Sequence, residues 1–181
     1  MAAQSKGPTY QLDWGARTRA LGGRLFGLPA VAETVPGAIL SHVRNFPRDW
    51  SRDAVGMRNR LASQYGQFAV AELTEFFLAP ALNEDPRYER LGDSFPFTHR
   101  VRRTIVGTLW VRKLHGTGHT FCYSRPIGVY ASWGIASRWH PPQHHGFAEV
   151  AWRGATRLGV EVGGNVFVEF WPDVRRRLKR R

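Results

Sequence analysis

The sequence predicts an all-α protein of about five helices, with small-residue packing between helices and a mobile N-terminal arm. Apolar residues recur at helical spacing through residues 51–82, prolines and glycines divide the remainder into helix-length segments, and strand signals are weak outside 120–123. The chain has 181 residues, of which 43% are apolar and 22% charged, as in one folded domain. We expect a flexible arm over residues 1–28, a helical domain over 29–174 and a basic tail over 175–181.

The first two helices are bounded by prolines and by a capping residue. The first is expected over residues 30–44, before Pro47, because a residue that precedes proline is disfavoured in the α conformation. Ser51 or Asp53 can cap the second helix, which is the strongest periodic signal in the chain and ends near Pro80.

Three further helices are expected in the second half of the chain. Ser94 can cap a helix over residues 95–111, and the next two are expected over 126–139 and 146–171. Pro172 should end the last one before the basic tail. Between the third and fourth helices, two glycines favour a turn that resembles a tight hairpin.

Small residues recur every four positions in the last two helices, and residues at that spacing share one helical face. These rows are Gly128, Ser132 and Ala136 in the fourth helix and Ala151, Ala155, Gly159 and Gly163 in the fifth. Smooth faces of this kind allow helix backbones to approach closely, as they do in lipid, although the same pattern also occurs in soluble bundles. We expect both rows to pack against neighbouring helices, so that leucine at position 159 or 163 would force them apart.

Positive charge is concentrated towards the C-terminus. Residues 1–100 carry a net charge of +2 and residues 101–181 carry +10, from 14 cations and 4 anions. The end of the chain holds Arg175, Arg176, Arg177, Lys179, Arg180 and Arg181. Such asymmetry favours contact with an anionic partner, either a membrane surface or a nucleic acid.

Several functional classes are disfavoured. One cysteine, Cys122, excludes a disulfide framework, and no uncharged run approaches the roughly 20 residues of a membrane-spanning helix. No nucleophile elbow, phosphate loop or paired-carboxylate site is present, so we expect no enzymatic activity and no cofactor. The histidines that could suggest a metal site are interpreted as solvated loop residues, namely His115, His119, His140, His144 and His145.

The N-terminal region shows no convincing signal peptide, because Pro29, Glu33 and Pro36 interrupt the apolar stretch that follows the first arginines. We therefore expect either the cytoplasmic face of a membrane or a targeting segment that this chain lacks.

A series of short motifs resembles a family of small uncharacterised proteins found mainly in Acidobacteria and usually exported. In chain order they are Phe46-Pro47-Arg48-Asp49-Trp50, Gly56 and Arg60, Asp85-Pro86-Arg87-Tyr88, Ser124-Arg125, Gly128 and Tyr130, Trp139-His140-Pro141, and Asn165 followed by Glu169-Phe170-Trp171-Pro172-Asp173. The resemblance covers roughly residues 30–181 and implies a helical fold and a location in the cell envelope. This chain departs from the pattern at His115 and His119, where relatives have an Asp- and Gly-rich loop.

The motif residues suggest structural fasteners. Asp85 should set a turn, and Arg87 and Arg100 should pair with Glu169 or Asp173, which would tie the middle of the chain to its last helix. Asn165, on an apolar helix, should find a hydrogen-bond partner if it is buried. Tyr88 and Trp171 complete this set of structural motif residues.

The most consistent function is that of a non-enzymatic structural or interaction protein at a membrane surface or in the cell envelope. Its small-residue helix faces could also support self-association or a protein partner. A basic nucleic-acid-binding protein is the alternative, because the C-terminal half interleaves arginine with aromatic residues.

Overall fold

The computed structural model describes residues 14–140 and 146–179, apart from the side chains of residues 147 and 149. Within these residues the helices are α1 (Trp14–Phe26), α2 (Leu28–Val43), α3 (Ala54–Ala81), α4 (Phe97–Gly107), α5 (Ser124–Ala136) and α6 (Phe147–Lys179). The strands are β1 (Glu84–Asp85), β2 (Trp110–Lys113) and β3 (His119–Phe121). The largely helical fold class is therefore confirmed, with a small sheet added.

The flexible arm expected over residues 1–28 is wrong for its second half, which forms α1. The edge of Trp14 packs against Phe76, and Arg17 donates to the Phe76 carbonyl at 2.8 Å. Arg24 forms a two-bond ion pair with Glu72 of α3. These tertiary contacts fix a glycine- and arginine-rich segment that has little periodicity of its own. Residues 1–13 lie outside the described residues.

Helix α3 is the centre of the fold and packs against α1, α2 and α5. Asp53 caps it as expected, accepting the Gly56 N–H at 2.9 Å. The small-residue row of α5 lies on α3, and Gly128, Ser132 and Ala136 are all buried. A Cβ at Gly128 would lie 2.8 Å from the Ala71 carbonyl oxygen, so the two backbones meet directly. Close packing is confirmed for this row.

The row on α6 does not pack, which corrects the prediction. Ala155, Gly159 and Gly163 are exposed, and a Cβ at Gly159 or Gly163 would have nothing within 4 Å. The contact with α5 is made instead at Gly154, where an added Cβ would lie 2.4 Å from the Tyr130 ring. The prediction failed because the ion pairs that orient α6 lie on the opposite face of the helix. That face meets the protein, and the small-residue row is therefore turned outward.

The predicted third helix ends earlier than residue 111, because the chain turns into a three-stranded antiparallel sheet in the order β1-β2-β3. Trp110 pairs with Phe121, and Asp85 pairs with Arg112. Gly116 and Gly118 adopt φ of +88° and +96°, which confirms the tight hairpin between β2 and β3.

Pro172 does not end the last helix, so the separate tail expected from residue 175 is also corrected. Helix α6 continues to Lys179 with Pro172 inside it. Proline disturbs the hydrogen bonding of the preceding turn, and here Arg90 and Arg100 both donate to the Glu169 carbonyl in that turn. Arg180 and Arg181 lie outside the described residues.

Substitution of two glycines by alanine should have opposite effects. We expect Gly128→Ala to lower the free energy of unfolding by about 1–3 kcal/mol, because its Cβ meets backbone. Gly159→Ala should raise it by about 0.5–1 kcal/mol, because an exposed helical glycine gains helix propensity. Chemical denaturation of both variants beside the parent measures this. Equal effects at the two positions would show that α5 and α3 are not in backbone contact.

Candidate functional site

The interior of the protein is unusually polar. Among the described residues, thirteen buried side chains are polar or charged and nine are apolar, leaving glycine and proline aside. Five of the nine apolar ones are alanine, and the largest is Phe68. Buried charges are costly unless they are paired and hydrogen-bonded, so their partners decide how the helices are arranged.

Arg60 organises the loop between α2 and α3. It is 1% exposed, and it donates to the carbonyl oxygens of four residues at 2.7–3.0 Å, namely Phe46, Pro47, Trp50 and Ser51. A guanidinium has five N–H donors in a fixed fork, which suits this set of diverging acceptors. The Phe46–Trp50 motif is thus a loop wrapped around one arginine.

A second group of charges, which we call the inner charge cluster, joins five helices; Glu72 and Arg125 are buried within it, and Arg24 at its edge is half exposed. Its members are Arg24, Glu33, Glu72, Glu75, Arg125, Arg157 and Glu161. Arg125 Nε lies 3.0 Å from Glu75 and 2.7 Å from Glu161, and Arg157 lies 2.7 Å from Glu33. Four carboxylates therefore share three guanidinium groups.

The shortage of cations in the inner charge cluster affects Glu75. Burial raises the pKa of its carboxyl to about 7, and Glu161 and Glu72 add to the increase while Arg125 opposes it. Burial also raises the pKa of Glu33. The interior thus contains carboxyl groups whose ionisation is disfavoured.

Glu84 holds the start of α5. Its side chain is fully buried, and its two carboxylate oxygens accept the N–H groups of Tyr123 and Ser124 at 2.8 and 3.0 Å. A carboxylate at a helix N-terminus satisfies free N–H groups and interacts favourably with the helix dipole.

The end of α6 is fastened to the rest of the protein by a group of charges that we call the α6 clamp: Arg90, Arg100, Glu169 and Asp173. Arg100 lies 2.6 Å from Glu169 Oε1 and 2.7 Å from Asp173 Oδ2, and it also donates to the Glu169 carbonyl. The pairing of Arg100 with Glu169 and Asp173, expected from sequence, is confirmed.

Both acids of the α6 clamp are held ionised. Burial opposes ionisation of Glu169, but hydrogen bonds from Arg100, the Leu91 N–H and the Tyr88 hydroxyl outweigh it and lower the pKa of its carboxyl. The hydrogen bond from Arg100 is the largest influence on Asp173 and contributes to lowering the pKa of its carboxyl to about 2.

Two other motif residues have the expected character. Asn165 donates to the Thr108 hydroxyl at 3.0 Å, so it has found a partner. Trp171 is 45% exposed and stacks on Phe167 with ring centroids 5.0 Å apart.

Arg87 corrects the sequence-based expectation. It does not reach residues 169–173 but folds back on Asp85, with contacts of 2.7 and 2.6 Å, while Asp85 sets the turn as predicted by accepting the Arg87 N–H. Arg90 takes the predicted place, donating to the Glu169 carbonyl at 3.0 Å. The extended backbone before Pro86 leaves the two side chains of the Asp-Pro-Arg sequence next to each other.

Large apolar side chains are also exposed on the exterior. Many are substantially exposed on the helices, including Phe26, Leu28 and Val43 around α2 and Phe77 on α3. Where such side chains lie together, they mark a contact with a protein or a membrane. Within the described part of the chain, no helix is both long and apolar enough to cross a membrane.

The outward face of α6 is the most regular of these surfaces. Its C-terminal part carries an apolar stripe, which we call the outer stripe: Phe167, Trp171, Val174 and Leu178, 45–65% exposed. Their spacing of four, three and four residues keeps them in one line. Arg175 and Arg177, both exposed, lie roughly a quarter of a turn to either side of it.

Several cations of the basic C-terminal half make contacts within the protein. Arg125 and Arg157 belong to the inner charge cluster, and Arg153 lies over the Phe46 ring at 3.9 Å. Arg176 pairs with Asp93 and Asp173 while its side chain stays half exposed. Because each ion pair uses an acid as well as a base, the pairing leaves the net positive charge of the sequence unchanged.

Two of the histidines interpreted as solvated, His119 and His140, instead contact other side chains. His140 contacts Ser63 Oγ at 2.7 Å and packs on Trp50 and Trp133, and His119 accepts from Arg103 at 3.0 Å. Over residues 14–140 and 146–179 no group of histidine, cysteine and acidic residues could hold a metal ion. His144 and His145 lie outside the described residues.

Comparison with known proteins adds no identity. No protein-family model, no curated protein and no solved structure matches this chain. The assignment of a function therefore depends on the geometry above, and chiefly on the contrast between interior and exterior.

Three organising residues were not singled out as site residues from sequence: Arg60, Glu84 and Arg125. Arg60 and Arg125 lie within helical patterns and look like surface arginines, and Glu84 lies in a polar turn. Only the tertiary structure brings their carbonyl, carboxylate and N–H partners together.

The α6 clamp makes a ranking of arginine substitutions testable. Arg100→Ala should lower the free energy of unfolding by about 3–5 kcal/mol, because it leaves a buried carboxylate without its main partner. Arg87→Ala should cost less than about 1 kcal/mol, because its ion pair is local and half exposed. Arg90→Ala should fall between them. Urea denaturation measures all three, and a larger loss for Arg87→Ala than for Arg90→Ala would contradict this arrangement.

The raised pKa of Glu75 predicts a pH dependence. Its stabilising contribution is fully present below the ordinary value of 4.5 and is lost as the pH rises through about 7, because the buried carboxyl is favoured in its protonated form. Glu75→Gln should therefore reduce the fall in unfolding free energy over that range, whereas Glu89→Gln, at an exposed ion pair, should not. If the two variants show the same pH profile, Glu75 does not titrate in this way.

Proposed function

We propose that this chain is a non-enzymatic structural or interaction protein that binds a membrane surface, in the cell envelope, through the outward faces of its helices. The observation that carries the proposal is a contrast between interior and exterior. Many of the buried side chains are polar or charged, and many large apolar side chains are exposed on the helices. Buried ion pairs add little net stability compared with apolar packing. The large apolar side chains are therefore placed where an external apolar phase can reach them.

The outer stripe of α6 supports a membrane as that phase. Trp171 and Phe167 are aromatic side chains of the kind that settle at a lipid interface, and Arg175 and Arg177 can reach headgroup phosphates on either side. Lys179 adds a third exposed cation. The opposite face of α6 is fixed to the protein by the α6 clamp, so the stripe is held outward.

Cell fractionation tests this proposal against nucleic-acid binding. The full chain should remain with the membrane fraction after high salt and nuclease and should enter solution with a non-ionic detergent. The reason is that apolar contact is insensitive to salt, whereas phosphate contacts to nucleic acid are released by it. Release by salt and nuclease alone would contradict the membrane proposal and favour the nucleic-acid alternative.

Two neighbouring arginines provide a matched control in vesicle binding. Arg177→Gln should weaken binding to phosphatidylglycerol vesicles by about 1 kcal/mol, or roughly fivefold, because its side chain faces outward beside the outer stripe. Arg176→Gln removes the same charge but should have a smaller effect, because Arg176 is paired with Asp93 and Asp173. Equal losses would show that α6 does not present this face to lipid.

A further inference from the structure

A cluster of arginines over the small sheet belongs to neither the inner charge cluster, the α6 clamp nor the outer stripe. Across the three strands, Asp85, Arg112 and His119 are paired in register and form one row. Arg103 of α4 reaches the end of this row, and Arg87 reaches its beginning. Between them is an open cleft, lined among others by Arg87, Glu89, Arg103, Arg112, Tyr88 and Trp110. We call it the basic cleft.

Arg103 differs from the other two arginines of the basic cleft in its partner. Arg87 pairs with Asp85 at 2.6 Å, and Arg112 pairs with Glu89 at 2.9 Å. Arg103 instead donates to the ring nitrogen Nε2 of His119 at 3.0 Å, so its charge faces a neutral acceptor. Among the residues that the structure describes, Arg103 therefore has no carboxylate partner.

The pKa of His119 reflects the positive charge of the arginines around it. Burial lowers the pKa of its imidazole, and Arg103 and Arg112 lower it further because both repel a second positive charge. Arg103 on α4 and Arg112 on β2 both repel a positive charge at the His119 ring, which lies above the sheet. An anion placed there would be attracted by both guanidinium groups.

The walls of the basic cleft also contain a glycine and two aromatic side chains. Gly107 has no side chain, and the Tyr88 ring lies 3.8 Å from the place where a Cβ would be. Trp110 is 46% exposed and alternates with the buried Val111, so it stands on the same side of β2 as Arg112. An indole beside two arginines offers an apolar surface to the organic part of a ligand.

We propose that the basic cleft binds a phosphate group, carried by either a lipid headgroup or a small organic phosphate. Guanidinium groups bind phosphate through paired, charge-assisted hydrogen bonds, and Arg103 and Arg112 face the same space from two directions. Asp85 holds Arg87, and Glu89, which also lines the cleft, holds Arg112. The site does not depend on the proposed membrane contact, since it lies on the sheet and uses none of the outer stripe.

Calorimetric titration of the full chain in non-ionic detergent with inorganic phosphate at low ionic strength tests the site. We expect saturable binding of one phosphate per chain, weakened about tenfold by Arg103→Gln and less by Arg103→Lys, which keeps the charge but loses the fork. Arg102→Gln is the matched control, because Arg102 is an exposed neighbour on the same helix that does not line the cleft. Circular dichroism verifies that each variant is folded.

The outcomes separate the site from the membrane proposal. Absence of saturable phosphate binding, or equal losses for Arg102→Gln and Arg103→Gln, overturns the site and leaves the vesicle result untouched. Repeating the comparison with glycerol 3-phosphate and with phosphatidic acid vesicles identifies the source. An Arg103→Gln effect on the soluble compound alone assigns a small organic phosphate, and an effect on the vesicles assigns a lipid headgroup.

Discussion

The fold depends on arginine forks that are buried and must be satisfied from several directions at once. Arg60 gathers the carbonyl groups of one loop, Arg100 fixes the end of α6, and Arg125 joins α3, α5 and α6 while its Nη2 donates to the Pro86 carbonyl at 2.7 Å. Because a guanidinium has five donors in fixed directions, any other arrangement of the surrounding acceptors would leave N–H groups of these arginines unpaired. The helices are thus positioned by hydrogen-bond geometry more than by interlocking apolar side chains.

The sequence was sufficient for features whose cause is local. Asp53 caps α3, glycines at 116 and 118 turn the hairpin, and Gly128 begins a row that packs on α3, all of which follow from spacing and residue type. The pairing of Arg100 with residues 169 and 173 could also be predicted, because few carboxylates occur in the C-terminal half.

What could not be predicted is decided by which face of a helix meets the protein. The glycine row of α6 looked like a packing surface, but Glu169 and Asn165 lie on the other side and turn it outward. Pro172 looked like a stop, but the helix continues through it to Lys179, and arginines from elsewhere in the chain bind the Glu169 carbonyl in the turn before it. For the candidate site, the sequence indicated cations at the C-terminus, yet it could not show that Arg176 is paired with Asp93 and Asp173.

The burial of Cys122 has a practical consequence. This thiol is fully buried at the junction of β3 and α5, its backbone N–H bonds to the Leu109 carbonyl at 2.8 Å, and burial raises the pKa of the thiol to about 11. It is the only cysteine in the chain. Alkylating reagents react with the thiolate, so Cys122 can be alkylated only when the sheet and α5 separate. The rate at which Cys122 is alkylated therefore reports how often that junction opens. A slower rate in the presence of membrane or phosphate would show that binding is coupled to this opening.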